Sequence, residues 1–204
     1  RTALIFLLGY LMYWFPFTSS IENTRILGVL QRIALCYGIG SLIAHYMHER
    51  VVMVLAAVIL LAYWYISIHF GLPGQALTMT GNAGILFDKW LMGEAHMYHG
   101  EGIAFDPEGW LSTLPAIVNV LIGFRVGGFI QEKGKTYEGL MLLMMWGAGF
   151  IFLGFMWNYQ FPINKKLWTS SFVVLTIGLN MIILATIIYR VDINRQHQFS
   201  RFFG

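Results

Sequence analysis

Six long apolar segments constrain this chain more than any other feature of its sequence. A bilayer core about 30 Å thick needs roughly 20 apolar residues as a helix, and lipid forces every backbone polar group to bond internally. We therefore predict an all-α fold, a polytopic membrane bundle of about six transmembrane helices with one long outer loop. The predicted spans are Thr2–Phe17, Ile26–Tyr46, Val51–Phe70, Trp110–Ile130, Tyr137–Phe161 and Leu167–Tyr189.

The composition agrees with burial in lipid. Charged residues make up only 11% of the chain, whereas a soluble domain usually carries about 25%. The spans are evenly spread, so we predict a single transmembrane domain over residues 1–204. The net charge is +3, but the basic residues are scattered rather than forming a stripe, which excludes a nucleic-acid partner. The single cysteine, Cys36, lies in an apolar run and is predicted to be a buried, inert thiol.

The longest connection between spans, from Gly71 to Gly109, holds five of the ten acidic residues. Loops of this length in compact domains are usually functional. Within it, Ala83–Leu91 is predicted to form a short amphipathic helix at the membrane interface, with Trp90 as its anchor.

The distribution of lysine and arginine predicts the orientation of the chain. One side of the membrane receives eight basic residues and the other receives four, with Arg32 inside a helix and counted for neither. The positive-inside rule therefore places the Gly71–Gly109 loop outside. The eight are Arg1, Arg50, Arg125, Lys133, Lys135, Arg190, Arg195 and Arg201, and the four are Arg25, Lys89, Lys165 and Lys166.

Arg25 and Arg32 are two helical turns apart, so they are predicted to share one face of the second helix, with Gln31 beside it. At 1.5 Å per residue, Arg32 would lie about 10 Å deeper than Arg25. A charge at that depth costs a few kcal/mol unless it meets a partner or a wet cavity. Two interpretations stay open. One is a snorkelling or ion-paired structural arginine, and the other is a site for a phosphate or carboxylate, which the planar guanidinium binds bidentately.

The outer loop ends in the sequence Asp106-Pro107-Glu108-Gly109, which predicts a rigid turn at the mouth of the fourth helix. Its carboxylates are suited to two roles. They can cap the helix and favour its dipole, or they can orient an amine or sugar hydroxyls and act as a base once desolvated.

Two histidines lie three residues apart in the same loop. His96 is interpreted as a substrate contact, since histidine is the side chain best suited to proton transfer near neutral pH, and His99 as a solvated loop residue. They lack the ligand number and spacing of a zinc site, so no metal is predicted.

The turn before the last helix contains Asn164, Lys165 and Lys166. Two lysines on the less basic side oppose the orientation rule. Helix capping and contact with lipid headgroups would explain them, and so would an outward-facing site for an anion or a sugar.

Four stretches of the chain occur together in one family. The segment Arg25-Ile26-Leu27-Gly28-Val29-Leu30-Gln31-Arg32 resembles the R-I-x-G-V-L-Q-R signature of the transmembrane heparan-alpha-glucosaminide N-acetyltransferase family and its bacterial relatives, often labelled N-acetylglucosamine-related transporters. Three more stretches agree in the same order: Gly93-Glu94-Ala95-His96-Met97-Tyr98, the Asp106-Pro107-Glu108-Gly109 turn with Leu111-Ser112-Thr113 after it, and Pro162-Ile163-Asn164-Lys165-Lys166-Leu167-Trp168. Lys166 departs from the asparagine found at this place in some members.

The resemblance implies a transmembrane acyltransferase that takes acetyl from cytoplasmic acetyl-CoA and places it on the amine of an amino sugar outside. It implies a bacterial inner-membrane location with residues 71–109 on the periplasmic side. The family's key histidine lies upstream of Arg1, so the chain is expected to be an internal fragment, inactive alone, and no catalytic residue is assigned. The residues expected around the site are Arg25, Arg32, His96, Asp106, Glu108, Asn164 and Lys165.

Three functional hypotheses are compatible with the sequence. The first is the acetyl-CoA-dependent enzyme. The second is a transporter in which the same residues bind N-acetylglucosamine or a related sugar without chemistry, against which the lack of detectable inverted repeats counts mildly. The third is a structural subunit that holds a partner helix bundle. Lipid is an expected partner in each case, and a homo-oligomer is compatible with all of them.

Overall fold

A computed structural model describes residues 1–18, 20–100, 102–133 and 135–194. In those residues the regular secondary structure is entirely helical, so the predicted all-α class is confirmed. Arg195 and Arg201, which enter the predicted charge bias, lie outside the described residues. The seven α-helices are α1 (Thr2–Trp14), α2 (Val29–Tyr46), α3 (Glu49–His69), α4 (Ala83–Met92), α5 (Trp110–Lys133), α6 (Tyr137–Asn158) and α7 (Ser170–Ile188).

Within the part of the chain that the structure describes, four helices are long and apolar enough to cross a membrane. They are α3, α5, α6 and α7, which a π-helical turn extends to Ile193. The chain is therefore a polytopic helical membrane protein. α1 is apolar but has only 13 residues, which at 1.5 Å per residue is about 20 Å and shorter than a bilayer core. α2 is not among these four, and its first turns carry the polar residues Gln31 and Arg32.

Four predicted spans extend three residues too far at an end that faces a turn. One of them is the fifth span, because α6 ends at Asn158 rather than at Phe161. α1 stops at Trp14 because Pro16 restricts Phe15, whose ψ of 136° is extended. α2 begins at Val29 and not at Ile26, since Gly28 is extended and the N–H of Ile26 donates to His96 O at 3.2 Å. α7 begins at Ser170 rather than Leu167, after Trp168 adopts a positive φ.

The described chain divides into two compact units. The first comprises residues 1–121 and 164–170, and α1 packs in it against α2. One buried cluster joins α2, α3 and α5, and there Cys36 is 4% exposed, so the predicted burial of this thiol is confirmed. A second buried cluster is formed by residues of the outer loop together with Leu167. Its members are Ile85, Met97, Ala104, Phe105 and Leu167.

The predicted outer helix is present as α4, ending at Met92 rather than Leu91. Asn82 caps it, since its side chain accepts a hydrogen bond from Ile85 N at 2.9 Å. Ile85 and Asp88 face the interior, whereas Trp90 is 78% exposed. Its exposure is compatible with the predicted interfacial anchor.

The second unit comprises the described residues within 122–163 and 171–194, and its helices α6 and α7 come close together at Gly147 and Gly178. A Cβ on Gly178 would lie 2.6 Å from Gly147 O and 2.7 Å from Ile151 N, both backbone atoms. Small residues at such crossings let two membrane helices pack backbone to backbone. Both glycines are therefore required for this packing.

We expect Gly178→Ala to lower the stability of the protein by about 1–3 kcal/mol, the usual cost of overpacking. The two atoms nearest to the added methyl belong to the backbone and cannot move aside alone, so the helices must separate. Gly149→Ala on α6 is the matched control, because a Cβ there meets no atom within 4 Å. Thermal unfolding in detergent measures both variants, and equal stabilities would contradict the required close approach.

Candidate functional site

Arg25 lies in the extended segment before α2 and binds two carboxylates of the Asp106–Gly109 turn. Its Nε donates to Asp106 Oδ1 at 3.0 Å, and its Nη2 donates to the same oxygen and to Glu108 Oε2 at 2.8 Å. The Asp106 side chain is fully buried and that of Arg25 is 16% exposed. This segment and the turn are thereby joined by a charge-assisted pair at low solvent exposure.

Aromatic rings cover the Arg25 guanidinium. Its Cζ lies 5.0 Å from the ring centre of Tyr13 and 4.7 Å from that of Tyr98, both within cation–π range. Nη1 also donates to the Tyr13 hydroxyl at 3.2 Å. Burial lowers the pKa of Arg25, but the hydrogen bond and charge of Asp106 outweigh it, so the net shift is upward. Arg25 is therefore a charged group whose guanidinium is largely enclosed by two carboxylates and two aromatic rings.

One interpretation of the sequence was that a carboxylate of the turn caps α5. The Asp106 side chain does not do so. Its Oδ2 accepts the N–H of Tyr98 at 3.2 Å, which leaves it bonded to Arg25 and to the outer loop. Burial raises the pKa of Asp106, against the opposing effect of Arg25. The N–H of Trp110, the first residue of α5, donates instead to Asp88 Oδ1 at 3.0 Å.

Arg32 reaches the same turn from within α2. Its Nη2 donates to Pro107 O at 2.7 Å and to Ser112 Oγ, and the Trp168 ring lies 4.7 Å from its Cζ. The residue is 6% exposed, yet its Nε and Nη1 have no hydrogen-bond partner in the described part of the chain. Arg32 is therefore a buried cation with hydrogen-bond donors that are not used within the described residues.

The predicted placement of both arginines on one helical face is wrong, because Arg25 precedes α2. The two side chains converge by another route. Arg25 binds Asp106 and Glu108, while Arg32 binds the neighbouring Pro107 carbonyl. The two side chains come together because both bind the Asp106–Gly109 turn, and not because of helical periodicity.

Gln31, next to Arg32, is also buried without a partner. The residue is 0% exposed, and neither Nε2 nor Oε1 has a hydrogen bond within the described residues. A Cβ on Gly9 of α1 would lie 2.9 Å from its carboxamide, so this glycine provides the space that the amide occupies.

His96 supports the segment that carries Arg25. Its Nδ1 lies 2.8 Å from Thr24 O, and its carbonyl accepts the N–H of Ile26 at 3.2 Å. The ring is half-buried. A substrate contact by His96 stays a prediction. His99 is exposed, as expected for a solvated loop histidine.

Asn164 and Lys165 are not joined to the arginines by any contact among the described residues. Asn164 Oδ1 accepts the N–H of Lys166 at 2.9 Å and that of Leu167 at 3.3 Å, which orders its own loop. This loop ends in Trp168, held at a φ of 53°, the ring that lies against Arg32. Lys165 is exposed. Their predicted roles at the site stay predictions.

Two residues next to the arginines were missed from the sequence. Nothing in the sequence indicated that Trp168 contacts an arginine, since a tryptophan before a helix resembles any interfacial anchor. Asp88 had a weak one, because it lies three residues after Ile85 on the apolar face of a short helix. Burial raises the pKa of Asp88 to about 7, with Trp110 N–H opposing, Asp106 adding to the rise and Arg32 opposing it.

Among the residues that the structure describes, no group of three or more His, Cys, Asp and Glu is placed to hold a metal ion.

Two curated relatives match parts of the chain. The heparan-alpha-glucosaminide N-acetyltransferase of Homo sapiens is 30% identical over 136 residues, 59% of this chain and 20% of the relative. The enzyme of the same name from Mus musculus is 32% identical over 110 residues, 46% of this chain and 17% of the relative.

The chain is related to the heparan-alpha-glucosaminide N-acetyltransferases. No family model matches it. The matched regions span about a fifth of the length of these two N-acetyltransferases. The predicted resemblance to this family is thus confirmed as a family-level relationship.

We expect Asp106→Asn to lower the free energy of unfolding by about 1.5–3 kcal/mol, the value of a hydrogen bond to a charged group. The amide still accepts from Tyr98 but no longer neutralises Arg25. Glu138→Gln is the control, because Glu138 pairs with Lys133 at an exposed site and should change stability by about 0–1 kcal/mol. Thermal unfolding in detergent distinguishes them, and equal effects would contradict a stabilising Arg25–Asp106 pair.

Proposed function

We propose that this chain is part of a transmembrane acyltransferase that moves acetyl from cytoplasmic acetyl-CoA to the amine of an amino sugar on the outer side. The amine nitrogen forms a bond to the acetyl carbonyl carbon, the thioester C–S bond breaks, and the coenzyme leaves as a thiol. The ammonium form of the sugar must first lose a proton, since only the free amine has a lone pair to attack. The relationship to named N-acetyltransferases supports this reaction class.

The single observation that carries the proposal is the buried Arg32 with unused donors at Nε and Nη1. A buried cation that no carboxylate neutralises is costly in a membrane. The ion pairs among the described residues do not include Arg32, because Asp106 and Glu108 bind Arg25. An anionic or strongly polarised oxygen of the ligand would complete its coordination, and the acetyl donor carries both phosphates and a thioester carbonyl.

The other predicted residues are assigned roles around this cation. Arg25 holds Asp106 and Glu108 in place, and the Glu108 side chain, which is 20% exposed, meets the amino sugar. His96 supports the Arg25 segment and contacts the substrate. Asn164 orders the loop that presents Trp168 to Arg32, while exposed Lys165 attracts anionic groups to the outer mouth.

The predicted orientation completes the proposal. The excess of lysine and arginine on one side favours an orientation with residues 71–109 outside. In the bacterial inner membrane that the family resemblance implies, this is the periplasmic side. The Arg25 and Asp106 cluster then opens outside, where the amino sugar is available. The acetyl donor reaches it from the cytoplasmic side.

A vesicle experiment on the full-length protein tests this function. Inside-out membrane vesicles loaded with glucosamine receive labelled acetyl-CoA from the medium, and labelled N-acetylglucosamine should accumulate inside. Right-side-out vesicles given the same donor outside should form none. Accumulation of unmodified sugar without acetyl-CoA would instead support a transporter, and the absence of labelled product with any amino sugar would reject the transferase.

We expect Arg32→Ala in the full-length protein to weaken coenzyme A binding about 10–100-fold, which is 1.4–2.8 kcal/mol. The variant removes donors that nothing else in the turn replaces. Arg32→Lys should restore only part of the affinity, because an ammonium is a point charge without a planar fork. Arg50→Ala, an exposed arginine at the start of α3, is the control. Isothermal titration in detergent makes the measurement, and unchanged affinity in Arg32→Ala would be incompatible with the proposed role.

A further inference from the structure

Asp88 is a buried carboxylate that the proposed function does not use. It lies on α4 with 2% of its surface exposed. Its Oδ1 accepts the N–H of Trp110 at 3.0 Å, so a residue of the outer helix caps the first turn of α5. Its Oδ2 lies against Gly109, where a Cβ would collide with it. Only a glycine at position 109 permits this approach.

A short series of hydrogen bonds leads from this cap to Arg32. The Gly109 carbonyl accepts from Ser112 Oγ at 3.1 Å and from Thr113 Oγ1 at 2.8 Å. Ser112 Oγ also lies 3.2 Å from Pro107 O, and both groups accept from Arg32 Nη2. The position of the first turn of α5 therefore determines where the Arg32 guanidinium is held.

We propose, on the basis of the acyltransferase function above, that Asp88 is a positioning residue whose ionised form anchors the first turn of α5 and thereby aims the free edge of Arg32 at the acyl donor. Asp88 does not touch the reacting atoms in this scheme. It acts through Trp110, Gly109 and Ser112.

Burial and neighbouring charges together place the protonation of Asp88 near neutral pH. Arg32 faces it from α2, Asp106 from the turn before α5, and the Tyr63 hydroxyl from α3, each close enough to interact electrostatically. On α4 itself, Lys89 pairs with Glu94 at an exposed site. Burial is the largest influence and raises the pKa of Asp88 to about 7, so its charge changes near neutral pH.

Protonation has opposite effects on binding and on stability. An ionised Asp88 accepts the Trp110 N–H with charge assistance and favours the helix dipole, so coenzyme affinity should rise with pH through about 7. The pKa of Asp88 in the folded protein lies above the ordinary aspartate pKa of 3.8, so the folded state binds an extra proton between these two pH values. Stability from this group is therefore present at low pH and lost as the pH rises through about 7.

Asp88→Asn separates these effects in the full-length protein. The amide oxygen can accept the same Trp110 N–H but cannot titrate. Coenzyme A affinity is measured by isothermal titration between pH 5.5 and 8.5, with melting temperature recorded at each pH. Wild-type affinity should rise by up to about tenfold per pH unit below the midpoint, while Asp88→Asn should give a flat, weaker profile and a melting temperature at pH 8 no lower than wild type.

Two further variants control the interpretation. Glu22→Gln, an exposed carboxylate in the same unit, should keep the wild-type pH profile. Gly109→Ala should displace Asp88 Oδ2 and weaken binding while every titratable group remains.

The outcomes separate the role of Asp88 from the function itself. A wild-type pH profile retained by Asp88→Asn would overturn the role of Asp88 alone. So would a lower melting temperature at pH 8 with unchanged coenzyme affinity, which would indicate a purely structural cap. Failure of the wild-type protein to bind coenzyme A at every pH would overturn the proposed function and this role together.

Discussion

The coordination of Arg25 and Arg32 by one four-residue turn is the constraint on which the rest of the first unit depends. Two cations with little solvent access need oxygen partners, and the Asp106–Gly109 turn supplies carboxylates to one and a carbonyl to the other. This requirement fixes the extended segment before α2, the start of α5 and the path of the outer loop, because each must bring its atoms to the same place. A membrane environment increases the cost of failing to do so.

The two arginines differ in what they leave available. Arg25 is bonded to Asp106, Glu108 and Tyr13 and is covered by two aromatic rings. Its hydrogen-bond donors are therefore largely paired within the protein. Arg32 has a similar charge but uses only one of its nitrogens. The division is consistent with one structural cation that shapes the turn and one that meets a ligand.

The outer loop is a folded part of the first unit. Its apolar residues form a buried cluster with Leu167, and α4 brings Asp88 to the first N–H of α5. The loop therefore connects the amphipathic helix α4 to the first turn of α5, beside the turn that binds Arg25 and Arg32. This arrangement explains how a change at Asp88 could reach Arg32 without direct contact.

The sequence by itself determined the helical class, the approximate spans and the identity of Arg25, Arg32, Asp106 and Glu108, because apolar length and buried charge are local properties that lipid penalises strongly. Ends of α1, α2, α6 and α7 were misplaced by three residues. At α2 the reason is a backbone hydrogen bond from Ile26 to His96, a residue of a distant segment. Only the tertiary structure decided which arginine is neutralised, that Asp88 rather than Asp106 caps α5, and that Trp168 covers Arg32. Each of these depends on residues far apart in the chain meeting in space, for which helical periodicity carries no signal.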